Sequence, residues 1–381
     1  MRRAFVIVLD ACGAGALPDA ADYGDAGSDT LGHLAAAVGG LRMPALQALG
    51  LGCALELDGV PPSRDPVMHG RLAAIGPGKD STAGHWGLMG LVAAERPVYP
   101  EGFPDEVLAV IERAGAPGVL GNHPSNGIEA IERYGEAHLL SGEPILYTSQ
   151  DSVLQLAAHV DVLAPAELYA LCEAVRERLP RQHAVGRVIA RPFAGEPGAF
   201  VRTDGRRDYA LAPDGPSYLD KLQATGVPTH AVGKVHALFA GAGFDAAHPG
   251  ATNATALAET RRLMSELESG FVFTNLIETD QVYGHRHDCP GFASALTEID
   301  RHVAAWLPAL GAEDLLVLTA DHGCDPTGPH TDHTREYAPL LAWFAGHGGR
   351  RHDGVLADVG ASTLDWLTGR SAPGLPGESF L

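Results

Sequence analysis

The sequence predicts an α/β fold in which helices sandwich a mainly parallel central sheet. Three apolar runs support this prediction: AFVIVLD (4–10), FVFTNLIETD (271–280) and DLLVLTAD (314–321). None of them alternates apolar with polar residues, as a strand with one solvated face would. Continuous apolar runs of this length are typical of parallel strands that are covered on both faces.

A helix is predicted between the second and third runs, in ALTEIDRHVAAWLPAL (295–310). Its large apolar residues recur every three or four positions: Leu296, Ile299, Val303, Trp306 and Leu310. This spacing places them on one face of an amphipathic helix. The order strand, helix, strand indicates a right-handed βαβ unit, the building block of an α/β sandwich.

The middle of the chain is predicted to form a second, smaller domain. It contains the proline-rich junctions RPVYPEGFP and ARPFAGEPG, two helices expected near 104–114 and 165–179, and a strand expected near 184–191. We expect 96–214 to be an inserted α/β cap domain. Segments 1–95 and 215–381 would then form one discontinuous core, which a chain of 381 residues is long enough to build.

Composition limits the classes of partner. The formal net charge of −20 argues against a nucleic acid or an anionic membrane as partner. The N-terminal apolar run (4–9) is too short for a signal peptide, and no segment reaches the roughly 20 apolar residues of a membrane span. Five scattered cysteines without a CxxC pair fit a reducing compartment, so we expect a cytoplasmic protein. The sequence does not indicate the oligomeric state.

Each of the three apolar runs ends in an aspartate: Asp10, Asp280 and Asp321. The carboxyl ends of parallel strands meet at one edge of a sheet, where ligands bind in α/β folds. Three carboxylates at one edge would repel one another strongly, and a bound cation would offset that repulsion.

Three histidines lie close to these aspartates or on a neighbouring loop: His285, His322 and His333. Any one of the six residues alone is more often a turn residue, a helix cap or a solvated side chain. Together they predict two sites of mixed nitrogen and oxygen ligands, which suit Mn²⁺, Zn²⁺ or Fe²⁺ better than Ca²⁺ or Mg²⁺. A pair of such metals is typical of phosphoryl transfer.

The stretch GKDSTAGHW (78–86) offers two adjacent hydroxyls on a glycine-flanked turn, Ser81 and Thr82. A hydroxyl is a weak nucleophile that a bound metal can activate. Either hydroxyl could therefore attack a phosphate and carry it covalently, and the local sequence does not decide between them.

Six motifs resemble, in the same order, those of the phosphopentomutases in the alkaline phosphatase superfamily. They are VLDACGAGALPDAADYGDAGSDTLGH, GKDSTAGHW, YTSQDSVLQ, VGRVIARPF, YGHRHD and TADHGCDPTGPHTDHTREY. ADHG alone marks the superfamily, whereas GKD-[ST]-x-x-GHW together with TDHTREY is specific to the mutases. The resemblance implies an alkaline-phosphatase-like core, a cap domain and two Mn²⁺ ions per chain.

The resemblance also implies residue roles. Asp10, Asp321 and His322 would hold one metal, and the other would be held by a second set: Asp280, His285 and His333. The hydroxyl directly after GKD is the family's nucleophile, which makes Ser81 the nucleophile and Thr82 a bystander. This chain departs from the family pattern at Ser81, where threonine is more usual, and at Gly87, 277–280 and Gln150.

The implied activity is that of an isomerase. It would interconvert ribose 1-phosphate and ribose 5-phosphate, and the 2-deoxy sugars too, through a phosphoserine and a sugar bisphosphate that also serves as activator. The preferred pentose is left open. So is the pathway, which is either nucleoside salvage or a specialised biosynthesis.

The phosphate of the substrate that does not react needs cationic partners. Arginines cluster in the cap, and the motif match favours Arg187, Arg202, Arg206 and, outside the cap, Lys234. An arginine fork matches phosphate geometry, although a solvated surface charge is the commoner fate of an arginine. Ser149 and Asp151 match the family segment that contacts the sugar.

Three alternatives share parts of this pattern. A two-metal phosphatase or phosphodiesterase would use the same ligands and Ser81, but the cap arginines and the mutase motifs argue against it. A phosphoglycerate mutase shares the superfamily core and has other motifs. A metal-stabilised binding protein would be expected to lack the nucleophile or some of the ligands.

Overall fold

A computed structural model describes residues 2–94, 96–148, 152–346 and 348–381. The chain forms two compact units. The larger unit combines Met1–Ala94 with Pro213–Leu381, and the smaller unit is Glu95–Ala212, inserted between them in sequence.

The strands, in chain order, are β1 (Arg3–Leu9), β2 (Met68–Ala73), β3 (Leu120–Pro124), β4 (Ile145–Thr148), β5 (Val153–His159), β6 (Arg187–Ala194), β7 (Val201–Arg202), β8 (Arg207–Ala210), β9 (Thr229–Val232), β10 (Ala246–His248), β11 (Gly270–Leu276), β12 (Asp314–Thr319), β13 (Ala338–Trp343), β14 (Arg350–Arg351) and β15 (Gly354–Val355). Six of these strands, β3 to β8, belong to the smaller unit.

The α-helices, in chain order, are α1 (Thr30–Ala37), α2 (Pro44–Leu49), α3 (Leu51–Ala54), α4 (Ser81–Leu88), α5 (Asp105–Arg113), α6 (Gly127–Ser141), α7 (Pro165–Arg178), α8 (Tyr218–Ala224), α9 (Val235–Leu238), α10 (Asn253–Glu266), α11 (Cys289–Trp306) and α12 (Ala357–Thr368). A π-helical turn, Thr279–Tyr283, follows β11 and carries Asp280.

The larger unit is built on one mixed sheet of order β10-β9-β11-β1-β12-β13-β2-β14, with β15 also paired to β2. The pairings from β10 through β12 are all parallel, and those of β13 with β12 and β2 are antiparallel. In register, Leu9 lies beside Leu276 and Val8 beside Thr319, so the carboxyl ends of β1, β11 and β12 share one edge.

The three predicted strands are present, at the centre of this sheet. Every residue of β11 and β12 is buried, because helices such as α10 and α12 pack against the sheet. Burial on both faces explains why their sequences show no alternation. The predicted run 271–280 ends too late, however: the strand stops at Leu276, and Asp280 lies in the helical turn that follows it.

The predicted helix 295–310 is α11, which begins earlier, at Cys289. Its N-cap is Asp288, whose side chain accepts from the Gly291 N–H, and a proline follows within the first turn. A proline costs little there because the first N–H groups of a helix have no partner inside it. The predicted apolar face is buried at Leu296, Ile299, Val303 and Trp306.

The smaller unit has its own sheet, of order β3-β4-β5-β6-β7, with β8 paired to β6. One face packs on α5 and α7 through a core that includes Leu154, Leu156 and Val188. The other face packs on α6, where Ile131 meets Tyr147 and Phe193. The expected helices near 104–114 and 165–179 are α5 and α7, and the expected strand is β6. The remaining strands and α6 were not anticipated from the sequence.

We find no helix, among the described residues, with both the length and the apolar character needed to cross a membrane.

Candidate active site

The aspartates Asp10 and Asp321 lie at the shared carboxyl edge of β1 and β12. Asp10 directly follows β1, and Asp321 follows β12 after one intervening residue. Both are buried, with 1% and 5% of their surface exposed. Asp280 reaches this group from the turn after β11 and not from a strand end, and it is buried as well.

A first group of potential ligand atoms combines Asp10, Asp321 and His322. The Nε2 atom of His322 lies 3.4 Å from Asp10 Oδ1 and 3.3 Å from Asp321 Oδ2. Atoms that ligate one metal at about 2.1 Å lie roughly 3.0–3.4 Å apart, for octahedral and tetrahedral geometry respectively. These three side chains therefore have the spacing of a metal-binding set.

A second group combines Asp280, His285 and His333. Asp280 Oδ1 lies 3.3 Å from His285 Nε2 and 3.4 Å from His333 Nε2, and the two imidazole nitrogens are 3.1 Å apart. Each histidine turns Nε2 toward the group, and His285 Nδ1 lies 2.6 Å from the Thr331 carbonyl oxygen. A hydrogen bond from the second ring nitrogen to a carbonyl is typical of a metal-binding histidine.

Three carboxylate oxygens in these groups have no hydrogen-bond partner among the residues that the structure describes: Asp10 Oδ1, Asp280 Oδ1 and Asp321 Oδ2. They are the same oxygens that lie within 3.4 Å of the imidazole nitrogens. A buried carboxylate oxygen without a partner is costly. Divalent cations would satisfy all three, so the residues present fit a metal centre.

The electrostatics of the groups favour added positive charge. Burial and the nearby carboxylates of Asp321 and Asp280 raise the pKa of Asp10 well above its usual range. Burial alone would lower the pKa of His322, but the carboxylates around it raise that pKa to about 9. The close approach of the Asp280 carboxylate is the main reason that the pKa of His285 rises to about 11. These shifts indicate that the carboxylates favour positive charge at this position.

The two groups adjoin one another. His322 also forms a cluster with Asp280 and His333, and Cys324 forms one with Asp280 and His285. The imidazole rings of His322 and His333 are 4.0 Å apart, centroid to centroid. Cys324 was not anticipated from the sequence, although it stands two residues after His322. Its Sγ is 3.9 Å from His285 Nδ1, and burial raises its pKa.

Ser81 is the first residue of α4. Asp80 caps this helix by accepting hydrogen bonds from the Thr82 and Ala83 N–H groups. The Ser81 Oγ atom lies 3.1 Å from His322 Nε2, at the first group. Thr82 is 7% exposed, and the structure records no side-chain contact between Thr82 and the potential ligands among its described hydrogen bonds. Of the two hydroxyls, Ser81 is therefore the one placed at the potential metal ligands.

Two buried residues support these groups, His85 and Asn275. The Asn275 side-chain amide donates to Asp10 Oδ2 (2.9 Å) and lies 2.9 Å from His85 Nε2. His85 Nδ1 lies 2.8 Å from the Ser81 carbonyl oxygen. Because an amide nitrogen only donates, His85 accepts at Nε2 and donates from Nδ1. Sequence reasoning missed both, although Asn275 is a polar residue inside an apolar run and His85 lies in the GHW motif.

The predicted phosphate-binding arginines lie in the smaller unit. Arg187 and Arg206 meet at Asp208, where Arg206 forms a bidentate pair (2.6 and 2.7 Å) and Arg187 lies 3.6 Å away. Arg202 is on β7, which pairs with the opposite end of β6 from Arg187. The structure therefore brings Arg187 and Arg206 together at Asp208, and it places Arg202 on a separate strand, β7.

Lys234 belongs to the larger unit. It precedes α9 and donates to Gln281, the residue after Asp280, at 3.3 Å. The last two predicted substrate residues, Ser149 and Asp151, lie outside the residues that the structure describes.

Comparison with known proteins identifies the family. A model of the Metalloenzyme superfamily matches residues 2–369. A phosphopentomutase from Anaeromyxobacter dehalogenans (strain 2CP-C) is 47% identical over 378 residues, covering 98% of this chain and 96% of the relative. A phosphopentomutase from Caldanaerobacter subterraneus subsp. tengcongensis is 46% identical, covering 96% of this chain and 94% of the relative.

A third relative, a phosphopentomutase from Dictyoglomus turgidum, is 44% identical and covers 100% of this chain and 98% of that protein. These identities extend over nearly the full length of both chains, so they include the core, the insert and all six motifs. They confirm the resemblance seen in the sequence and favour a divalent-metal enzyme over a non-catalytic binding protein. The chain belongs to the phosphopentomutase family of the metalloenzyme superfamily, and it is an isomerase with an alkaline-phosphatase-like core.

Proposed function

We propose that this enzyme interconverts ribose 1-phosphate and ribose 5-phosphate, and the corresponding 2-deoxy sugars, with Ser81 as the residue that carries the phosphoryl group. The observation that carries the proposal is the position of the Ser81 hydroxyl, 3.1 Å from His322 Nε2. The same nitrogen lies within 3.4 Å of carboxylate oxygens from Asp10 and Asp321.

Two Mn²⁺ ions would occupy the two groups. Asp10, Asp321 and His322 would hold one, and the second would be held by Asp280, His285 and His333. The mixed carboxylate and imidazole ligands suit Mn²⁺. When bound, the metals would supply Lewis acidity and positive charge for the transferring phosphoryl group.

The protein's own residues would then carry out a balanced exchange. Phosphorylated Ser81 gives its phosphoryl group to the free hydroxyl of the sugar phosphate. The bond from Ser81 Oγ to phosphorus breaks, a new sugar–phosphate bond forms, and the sugar hydroxyl proton is transferred to Ser81. The resulting sugar bisphosphate turns over and returns its other phosphate to Ser81. No water is consumed, and a bisphosphate added from outside would prime the enzyme.

The position of Ser81 suits an anionic phosphoserine. It stands at the start of α4, where the positive end of the helix dipole favours negative charge. The Asp80 cap fixes this first turn, and His85 holds the Ser81 carbonyl. These contacts keep the hydroxyl at the edge of the sheet while the phosphoryl group is exchanged.

The phosphate that does not react would be bound by cationic residues, Arg187, Arg202 and Arg206 of the smaller unit and Lys234 of the larger one. We propose that Ser149 and Asp151 contact the sugar and that the smaller unit acts as a cap that excludes water. Without that exclusion the phosphoserine would hydrolyse, and the enzyme would be a phosphatase. We place the enzyme in the cytoplasm, where its five free cysteines would stay reduced.

The phosphoserine is tested by mass spectrometry of peptides from the Mn²⁺-loaded enzyme after incubation with ribose 1,5-bisphosphate. We expect phosphate on Ser81, and we expect Ser81→Ala to lose at least roughly 10³-fold in kcat while its metal content is kept. The matched control is Thr82→Ala, which removes the neighbouring hydroxyl and should remain active. If Thr82→Ala loses activity and Ser81→Ala keeps it, the assignment of the nucleophile is wrong.

The main alternative, a phosphatase on the same core, would label Ser81 too. It differs in the fate of the phosphate: a phosphatase releases inorganic phosphate in proportion to the substrate consumed, whereas the mutase returns it to the sugar.

A further inference from the structure

Arg335 is a buried arginine in the TDHTREY motif, two residues after His333, and only 6% of its surface is exposed. Its guanidinium Nη1 donates to the carbonyl oxygens of Gly76 (2.9 Å) and Gly78 (2.7 Å). Both carbonyls belong to the segment 76–80, here called the nucleophile loop, which leads directly into Ser81.

We propose that Arg335 is a positioning residue for phosphoryl transfer: it holds the nucleophile loop so that the Ser81 hydroxyl stays at the metal-binding groups. This inference rests on the proposed role of Ser81 as nucleophile. It adds a residue that belongs to neither proposed metal-ligand set nor the proposed substrate-binding set and that acts through the loop it binds.

The other side of the Arg335 guanidinium is anchored. Nε and Nη2 donate to the Asp19 carboxylate at 2.9–3.3 Å, and the guanidinium carbon lies 4.8 Å from the centre of the Tyr23 ring. Hydrogen bonding from Arg335 lowers the pKa of Asp19. The planar guanidinium thus forms hydrogen bonds on both edges, with Asp19 on one edge and with the nucleophile loop on the other. A lysine ammonium cannot reproduce this arrangement.

Asp25 adds a second attachment between the same segments. Its buried carboxylate accepts from the Lys79 ammonium at 3.0 and 3.1 Å and from the Arg335 backbone N–H at 2.8 Å. His330 Nε2 lies 3.1 Å from the same carboxylate. Lys79 belongs to the nucleophile loop, so this loop is bound at three points. Its Gly76 and Gly78 carbonyls accept from Arg335, and its Lys79 ammonium donates to Asp25, which also accepts from the Arg335 backbone.

The nucleophile loop has no regular secondary structure of its own to hold it. It contains no strand or helix, and Gly78 has a φ of +99°, which a residue with a side chain rarely adopts. A shift of this loop would move Ser81 directly, because Ser81 is the first residue after the Asp80 cap. Misplacing a reacting atom by about 1 Å can cost on the order of 10²-fold in rate.

This arrangement gives a physical reason for two motifs to occur together. GKDS carries the nucleophile, and TDHTREY carries both the potential ligand His333 and Arg335. Through Arg335 the second motif holds the first, so the nucleophile and one metal ligand are fixed by the same piece of chain.

The test compares the single-turnover rate of Ser81 phosphorylation in Mn²⁺-loaded wild type, Arg335→Ala and Arg335→Lys, with ribose 1,5-bisphosphate as donor. We expect the rate, and kcat for isomerisation, to fall about 10²-fold in both variants, with KM for ribose 1-phosphate nearly unchanged. Millimolar guanidinium chloride should restore part of the Arg335→Ala rate, and ammonium chloride at the same concentration should not.

Arg3→Ala is the matched control. Arg3 binds the Asp314 carboxylate through two nitrogens (both 2.7 Å) and also donates to the backbone oxygens of Met264 and Leu267. The Arg3→Ala variant therefore loses an ion pair with a carboxylate and two hydrogen bonds to carbonyl oxygens, as Arg335→Ala does. The lost contacts lie at the amino-terminal end of β1. We expect Arg3→Ala to lower stability and to leave the phosphorylation rate of Ser81 unchanged.

The outcomes are distinguishable. Slow phosphorylation in Arg335→Ala with guanidinium rescue, beside a normal rate in Arg3→Ala, supports the proposal. A wild-type rate in Arg335→Ala overturns it and leaves the proposed function intact. Equal slowing in Arg3→Ala without guanidinium rescue also overturns it, because the effect is then one of general stability. If wild type is never phosphorylated on Ser81, the proposed function fails and this inference fails with it.

Discussion

At the residue scale, the site is organised around oxygens that the protein leaves without partners. Asp10 Oδ1, Asp280 Oδ1 and Asp321 Oδ2 are buried and accept no hydrogen bond within the described part of the chain. The opposite oxygen of Asp10 is held by Asn275, and Asp321 Oδ1 accepts from the Ala11 N–H at 3.2 Å. One oxygen of each of these two carboxylates thus orients the side chain, and the other faces the potential metal position.

Asn275 should therefore affect metal binding although it carries no charge. Replacing it with alanine removes the donor that orients Asp10 and leaves His85 Nε2 without its partner. Loss of such a supporting contact typically costs about 10–100-fold in metal affinity. Titration of Mn²⁺ into the metal-free variant and wild type measures this change.

The control is Asn122→Ala, which removes two hydrogen bonds to the Phe103 backbone within the smaller unit. It should leave the Mn²⁺ affinity unchanged. Equal affinities for wild type and Asn275→Ala would show that Asp10 needs no support from Asn275.

The residue types of the site could be predicted from sequence, and their contacts could not. Asp10 and Asp321 stand out because a carboxylate ends an apolar strand. Asn275, His85 and Arg335 act through hydrogen bonds to residues distant in sequence, and no local pattern signals those bonds. Cys324 was missed for the same reason, since its proximity to His285 depends on how two loops fold.

At the scale of elements, helix α4 connects the nucleophile to the sheet. Gly84 is where α4 approaches Asp321: a β-carbon at Gly84 would overlap the Asp321 backbone oxygen and lie 2.6 Å from the Asp321 Cβ. Backbone cannot yield as a flexible side chain can, so the helix would have to move and carry Ser81 with it.

Gly84→Ala should lower both stability and activity. Overpacking of this kind costs about 1–3 kcal/mol, more than the roughly 1 kcal/mol that alanine gains over glycine inside a helix. We expect a loss of stability in thermal unfolding and a fall in kcat on the order of 10-fold or more as Ser81 shifts.

Gly87→Ala, three residues along the same helix, is the matched control. The nearest atom to a β-carbon there is Leu356 Cδ1 at 3.2 Å, the end of a flexible side chain. This variant should be neutral or slightly stabilised and should keep its activity. If the two variants behave alike, close approach at Gly84 does not position Ser81.

Helix α6 and strand β5 are joined by a histidine that must be neutral. His138 is fully buried, its Nδ1 lies 2.7 Å from the Glu143 carbonyl, and its Nε2 accepts from the His159 N–H at 2.8 Å. Neither nitrogen is left for a second proton. Burial is the main cause that lowers the pKa of His138.

The sign of the pH effect follows from that shift. A histidine whose pKa is lowered in the folded state makes its full contribution to the free energy of unfolding at pH values above its unfolded pKa of about 6.5. That contribution is lost as the pH falls below this value. The unfolded chain takes up the proton first. His138→Gln, which does not titrate, should therefore show a weaker loss of stability between about pH 6.5 and pH 5.

Urea unfolding of wild type and His138→Gln at several pH values measures this difference. The stability gap between the two proteins should be largest at neutral pH and should narrow on acidification. If the free energies of unfolding of the two proteins changed in parallel with pH over this range, His138 would bind protons equally in the folded and unfolded states.

At the scale of the whole molecule, the continuous apolar runs of the central strands made the core of the larger unit predictable. Burial on both faces of β1, β11 and β12 leaves a continuous apolar signal that survives without tertiary information. The strands β4, β7 and β8 were missed because they are short, with 4, 2 and 4 residues. The strands β13 and β5 were missed although they are as long as β12 and β1 and almost entirely buried. Asp280 was placed at a strand end since an apolar run does not reveal where a strand gives way to a helical turn.

The acidic character of the chain also has meaning at this scale. A net charge of −20 repels a sugar phosphate, so a phosphate-binding enzyme of this composition needs concentrated positive charge where it works. The arginines of the smaller unit, Lys234 and the proposed metals are the candidates for that charge.

The most direct test of the central claim is phosphorus NMR of ribose 1-phosphate with the Mn²⁺-loaded enzyme, primed with a trace of ribose 1,5-bisphosphate. Samples treated with a chelator, and samples of Ser81→Ala, serve as controls and should show no conversion. We predict that the ribose 1-phosphate signal is replaced by that of ribose 5-phosphate, with no build-up of inorganic phosphate. Stoichiometric release of inorganic phosphate, or an unchanged ribose 1-phosphate signal, would contradict the account.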